Sequence, residues 1–145
     1  MAQLADIIAR IKTVAEGSSC GFVKVYEKDI SHLKAKDTLV PALFIKNVVK
    51  RNREQIREYL LKEASIEMLI MIKDCSQPFS ELDDIESILE EAILTDKELV
   101  EKLCVRNGIE IIESNLTNDV KQLREKGGAA SVLKIKFTYH KKRGI

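Results

Sequence analysis

Leu4, Ile7, Ile8, Ile11, Val14 and Ala15 recur at helical spacing, so residues 3–16 predict an amphipathic helix with one apolar face. Gly17-Ser18-Ser19 ends it. Residues 22–27 and 38–45 are then rich in β-branched and aromatic side chains and predict two strands separated by a polar, turn-like segment. Pro41 has no N–H to donate, which puts the second strand at a sheet edge or at a change of partner. Residues 46–64 admit two readings. Ile56, Tyr59 and Leu60 fit a helix turn, whereas Val48-Val49 and Tyr59-Leu60-Leu61 fit the two arms of a long hairpin. Residues 65–72 return to strand character, and the unbroken apolar run Met68-Leu69-Ile70-Met71-Ile72 predicts a central strand covered on both faces.

Ser80 and Asp83 have capping-box spacing and Phe79 stands in the staple position, which predicts a helix over residues 80–94. Leu82, Ile85, Leu89, Ala92 and Ile93 form its apolar stripe; Glu81, Asp83, Asp84, Glu86, Glu90 and Glu91 fill the rest as a solvated acidic face. Asp96 can cap a second short helix, residues 97–104, closed by Gly108. Strand character resumes at 109–113, around 120–123 and at 131–140, with residues 126–129 as a turn before the last of these. In that final strand Leu133, Ile135, Phe137 and Tyr139 alternate with Lys134, Lys136, Thr138 and His140, the pattern of one buried and one wet face. The order of elements predicts an α+β fold, a mainly antiparallel β-sheet with helices packed on one face, in a single domain spanning residues 1–145. No internal repeat interrupts it.

Composition narrows the class without naming a function. A chain of 145 residues buries roughly 70% of its unfolded surface in one core, so a second catalytic domain is not expected. With 45% hydrophobic and 32% charged residues the chain reads as globular, and no apolar run approaches the ~18 residues of a membrane span. The opening Met1-Ala2-Gln3-Leu4-Ala5-Asp6 lacks the basic and apolar regions of a secretory signal, which predicts a cytoplasmic protein. Cys20, Cys75 and Cys104 are odd in number and widely spaced, which predicts buried free thiols rather than disulfides or a zinc site. The net charge of +1 conceals a segregated chain: +5 over residues 1–57, −11 over 58–119 and +7 over 120–145.

Candidate chemistry is sparse. His32 and His140 stand in no metal-ligand or nucleophile-base pattern and read as surface histidines, and Gly127-Gly128 is too short to cradle a phosphate. The reading is therefore no catalytic residue, no metal and no cofactor. Lys46, Lys50, Arg51, Arg53 and Arg57 form the densest internal basic cluster. Three readings apply to it: a solvated loop, a protein contact, or contact with nucleic-acid phosphates by counterion release. No aromatic interleaves the cluster before Tyr59, so the stacking platform of single-strand binders is missing.

The order of elements resembles the tail terminator, or tail completion, proteins of tailed bacteriophages and prophages over nearly the whole chain. The resemblance is carried by the helix at 4–16, the early strand pair ending in Leu39-Val40-Pro41-Ala42-Leu43-Phe44-Ile45, and the apolar strand Ile66-Glu67-Met68-Leu69-Ile70-Met71-Ile72. The acidic helix at 80–94 and the small-residue lead-in Gly128-Ala129-Ala130-Ser131 to the alternating final strand complete it. The resemblance implies a non-enzymatic virion assembly protein, a small α/β sandwich whose copies close into a ring, usually hexameric, on the last ring of the tail tube. Its implied partners are itself, the tail tube protein and the head-tail connector or neck protein. Genome DNA passes through the lumen without specific binding, no membrane takes part, and the protein resides in the virion tail after assembly in the host cytoplasm. The length and basicity of the 46–57 stretch depart from the family pattern. A strongly basic lumen would retard DNA, so Lys46, Lys50, Arg51, Arg53 and Arg57 are expected on a tube-docking arm. Glu86, Glu90 and Glu91 are expected to form an acidic face between subunits, since a ring needs heterologous, complementary patches. A neck or head-closure subunit, or a nucleic-acid-binding α+β module using the 46–57 stretch, are the alternatives.

Overall fold

Period-two apolar patterning makes strands, and the strand buried on both sides must lie in the middle. The computed structural model, which describes residues 4–27, 41–55, 59–73, 77–117 and 128–142, follows that rule. Among the described residues five strands form one sheet: β1 (Lys24–Tyr26), β2 (Ala42–Gln55), β3 (Tyr59–Lys73), β4 (Ile109–Thr117) and β5 (Gly128–Lys142), in the order β1-β2-β3-β5-β4. β1 runs parallel to β2 over three residues, and the other neighbours are antiparallel. The chain is thus α+β with a mainly antiparallel sheet, and the apolar run at 68–72 sits in its central strand.

Residues 46–55 and 59–64 pair as the two arms of a hairpin rather than forming a helix, since Arg51 lies opposite Glu63 and Gln55 opposite Leu60 in the β2–β3 ladder. The ladder is stepped at Lys46/Val49 and at Asn52/Glu54, the bulges expected where a long strand loses its outer neighbour. Pro41 lies just before β2, where its carbonyl accepts the Val23 N–H at 2.7 Å; its missing donor therefore costs the ladder nothing. β5 is longer than the alternating segment suggests. Gly128 and Ala129 are strand residues rather than part of a turn, since they pair with Lys73 and Ile72 of β3, and Ala129 and Ala130 are buried there. The predicted strand residues 38–40 and the segments at 120–123 and 126–127 lie outside the described residues.

Helix α1 (Leu4–Gly17) and helix α2 (Pro78–Thr95) cover one face of the sheet. Ile7, Ile11 and Ala15 of α1 and Leu82, Ile85, Leu89 and Ile93 of α2 meet Leu43, Ile66, Met68, Ile70, Leu133, Ile135, Phe137 and Tyr139 in the main core. Each fully buried Leu, Ile, Met or Phe among them stabilises by about 1.5–3 kcal/mol. On the opposite face a smaller cluster of Tyr26, Ala42, Phe44, Leu69, Met71 and Ala130 gathers at the β1 side, where the Tyr26 and Phe44 rings stack at 4.6 Å. β3 is therefore apolar on both sides in its second half.

The start of α2 differs from the capping-box expectation. The helix begins at Pro78, with Gln77 before it and no side-chain cap, and Phe79 stays 48% exposed instead of stapling the turn. Proline at the first helical position has its φ preset for the helix and needs no partner for a missing N–H, so it overrides the Ser80 signal. Asp96 does act as a cap. Its carboxylate accepts the Leu99 N–H at 3.1 Å at the head of a π-helical turn, Glu98–Leu103, in which the Cys104 N–H reaches back five residues to Leu99 O.

After that turn Asn107 takes the left-handed conformation (φ 57°), and Gly108 follows under close backbone. A Cβ at Gly108 would stand 2.7 Å from the Val105 carbonyl oxygen and 2.8 Å from that of Thr138, neither of which can swing aside. Gly108 also accepts the Thr138 N–H at 2.8 Å, so the approach is part of the β4–β5 start. Gly108→Ala is expected to lower stability by about 1–3 kcal/mol. A urea titration should show this as a lower midpoint with an unchanged slope.

Candidate interaction surfaces

The face of the sheet opposite the helices carries the chain's charged alternation. Lys46, Glu67, Lys134 and Glu113 follow one another across β2, β3, β5 and β4 in register, so cations and anions alternate along a single row. One row further on, the Lys136 ammonium lies 3.1 Å from Glu63 and 2.9 Å from Glu110. Hydrogen bonds to Glu110 and then Glu63, with their charges, hold Lys136 above its ordinary pKa. Lys134 and Lys136 of the +7 segment are thus interleaved with Glu63, Glu67, Glu110 and Glu113 of the −11 segment.

That pairing divides the predicted basic cluster. Lys46 is half-buried within the charged row, whereas Lys50 and Arg51 are exposed further along β2, beside Val48 and Val49. Neither Lys50 nor Arg51 has an ion-pair partner among the described residues. Arg53 is placed in β2 only by its backbone, and Arg57 lies outside the described residues.

The acidic helix divides as well. Glu86 does not belong to a solvated or inter-subunit face: it is 6% exposed, points at the sheet, and its Oε1 accepts the hydroxyl of buried Ser131 in β5. Helical spacing explains the difference, because position 86 is four residues from core position 82, three from 89 and seven from 93, on the inner side of the helix rather than on its outer line. Glu90 is half-buried beside it, and desolvation, followed by the charges of Glu86 and Asp83, raises its pKa. Glu91 is exposed on the outer line with Glu81, Asp84 and Ile88.

Two features escape a strand-by-strand reading. The Arg10 guanidinium grips Asp96 through both carboxylate oxygens, Nε to Oδ2 at 2.9 Å and Nη2 to Oδ1 at 2.7 Å, tying α1 to the junction after α2. The Arg10 hydrogen bond holds the Asp96 carboxyl below its ordinary range despite partial burial. Arg10 and Asp96 are 86 residues apart, and nothing local pairs them. The thiols are the second. Cys20 and Cys104 are free and buried, as their spacing predicts, and burial pushes Cys104 up to about 12 beside Tyr139. Cys75 and His32 lie outside the described residues, and His140 is exposed.

Among the described residues no three His, Cys, Asp or Glu side chains gather as a metal site, and no helix is long and apolar enough to cross a membrane. Compared with known proteins, the chain matches no family model, and no curated protein matches it. What the described surface offers is charge and apolar contact on exposed elements.

Asp96→Asn keeps a neutral cap but loses the charge pair, and is expected to cost about 1–3 kcal/mol at neutral pH. Because folding lowers the Asp96 pKa, that stabilisation is complete above the unfolded value of about 3.9 and fades as pH falls through the lower folded value. Urea midpoints of the two proteins should therefore converge below about pH 4. Glu86→Lys, which buries a cation against Ser131, is expected to cost about 3 kcal/mol or more, while Glu91→Lys stays within about 0.5 kcal/mol. Thermal denaturation of both variants measures the contrast.

Proposed function

We propose that the protein is a tail terminator subunit of a tailed bacteriophage or prophage, an assembly protein without enzymatic activity. Copies close into a ring on the head-proximal end of the tail tube, stop its growth and offer a docking face to the neck. The observation that carries this reading is the order of elements: the amphipathic helix, the short strand leading into an apolar 42–45 strand, the central apolar strand, the acidic helix and the small-residue start of an alternating last strand. Their α+β arrangement, with helices on one face of the sheet, agrees with the architecture that the family resemblance implies.

Electrostatics adds support. On the open sheet face the Lys136 ammonium is taken up by Glu63 and Glu110, and Lys46 is half-buried in the charged row opposite Glu67. Tight phosphate binding draws on many Lys and Arg contacts at once, so the described surface favours protein contact over a nucleic-acid module.

The test is assembly on tubes. Mixed with the tail tube protein of the same phage, the protein is expected to form rings at tube ends in electron micrographs and to shorten the tube-length distribution as its molar ratio rises. A protein that neither binds tubes nor changes their length overturns the reading. Salt-dependent binding of duplex or single-stranded DNA in its place would support the nucleic-acid module.

A further inference from the structure

The two faces of the sheet treat their lysines differently. On the open face Lys136 stands between Glu63 and Glu110. On the helix side, at the end of the core, the ladders bring together Lys50 of β2, Lys62 of β3 and Lys141 of β5. Lys50 lies opposite Ala64 and Lys62 opposite Tyr139, both of the main core, while Lys141 stands two residues past Tyr139 and opposite Leu60. All three therefore project to the helix side. Lys50 and Lys62 are diagonal neighbours across β2 and β3, as are Lys62 and Lys141 across β3 and β5, about 7–8 Å apart at each step. Lys50 is exposed and the other two are half-buried. None of them has an ion-pair partner among the described residues, and the remaining positions of this face, Asn52, Gln55 and Leu60, hold no acid. Of the acids on the adjoining junction, Asp96 is held by Arg10 and Glu98 by Lys102, which leaves Glu101. Exposed Arg106 adds a cation at the same end, one residue after the Val105 N–H donates to the Thr138 carbonyl. Neighbouring ammonium groups without a carboxylate repel one another, and an anionic partner relieves that repulsion.

We propose that this lysine stripe docks an acidic surface of another protein. It rests on the reading above for the identity of that protein, which there is the tail tube protein. The stripe keeps Lys50 of the 46–57 cluster and adds Lys62 and Lys141 from other strands. A protein fits it better than a nucleic acid. Tyr139 is buried, so it offers no ring to a base, and three neutralised phosphates give a log–log salt slope of only about 3, too few contacts for a tight duplex binder. Carboxylates two residues apart on a partner's strand, or four apart on its helix, stand about 5–7 Å from one another and match the step of the stripe.

The experiment uses the full chain. Lys50→Glu, Lys62→Glu and Lys141→Glu together are expected to weaken co-sedimentation with tail tubes of the same phage roughly tenfold. Lys73→Glu, the same charge change at the exposed opposite end of β3, should leave it unchanged. Polyglutamate and duplex DNA serve as soluble probes in fluorescence anisotropy: the unmodified chain should bind polyglutamate, lose it with the three lysines, and bind duplex DNA more weakly. Exchange of the same three lysines to Gln keeps the test readable if the reversed chain fails to fold. Because they have no internal acid, that exchange should leave the urea midpoint unchanged or raised while weakening both tube and polyglutamate binding. A lowered midpoint reveals internal partners and overturns the proposal, as does tube binding weakened equally by Lys73→Glu or duplex DNA bound more tightly than polyglutamate. Tubes capped normally by both triple variants overturn the docking face and leave the tail terminator reading intact. Polyglutamate binding that needs the three lysines, in a protein that ignores tubes, upholds the acidic-protein face and overturns that reading.

Discussion

The β3–β5 ladder runs through fifteen residue pairs without a bulge, from Tyr59 opposite Lys142 to Lys73 opposite Gly128. Because side chains alternate faces with every residue, this register decides which half of each strand meets the helices. Slipped by one residue, it would turn Lys134 and Lys136 into the core and Ile135 and Phe137 into water. The penalty for burying two unpaired ammonium groups far exceeds the stability of a domain this size, so the register has no near competitor. The bulges are confined to β2 and β4, the flanking strands, where bending costs least.

The same register settles the charge pattern. Read along the chain, the charges fall into a basic, an acidic and a second basic block, which suggests separate patches on the surface. In the folded sheet β5 lies between β3 and β4, so the lysines of the last block stand between Glu63 and Glu67 on one side and Glu110 and Glu113 on the other. For Lys134 and Lys136 the segregation along the chain is thus answered inside one molecule.

The helical layer is held to the sheet by burial and closed by one long-range polar clasp. Asp96 serves three groups at once: two nitrogens of Arg10 and the first free N–H of the π-helical turn. An anion there also meets the positive end of that turn, so one side chain sets both the end of α2 and the seat of α1. Gly108 does the corresponding work at the return to the sheet, where backbone passes too close for any side chain.

Much of this was written in the order of residues. The alternation from Leu133 to Tyr139 specifies a one-sided strand, the run from Met68 to Ile72 specifies a central one, and the stripe from Leu82 to Ile93 specifies a helix against the sheet, because these patterns depend only on neighbours a few positions away. The hairpin at 46–64 stayed ambiguous for the same reason: its local pattern fits a helix turn, and pairing with β5 is what favours the strand. Glu86 looked like its acidic neighbours in composition, although its spacing from Leu82 and Leu89 puts it on the inner side of the helix; only the fold brings it against a serine forty-five residues downstream. Pro78 displaced the helix start that Ser80 signalled, a contest between two local rules with nothing in the sequence to rank them. The sequence alone determined the element types and the buried faces. The tertiary structure decided which charges stand against one another and what the buried acid meets, since those depend on strand order and on contacts between residues far apart in the chain.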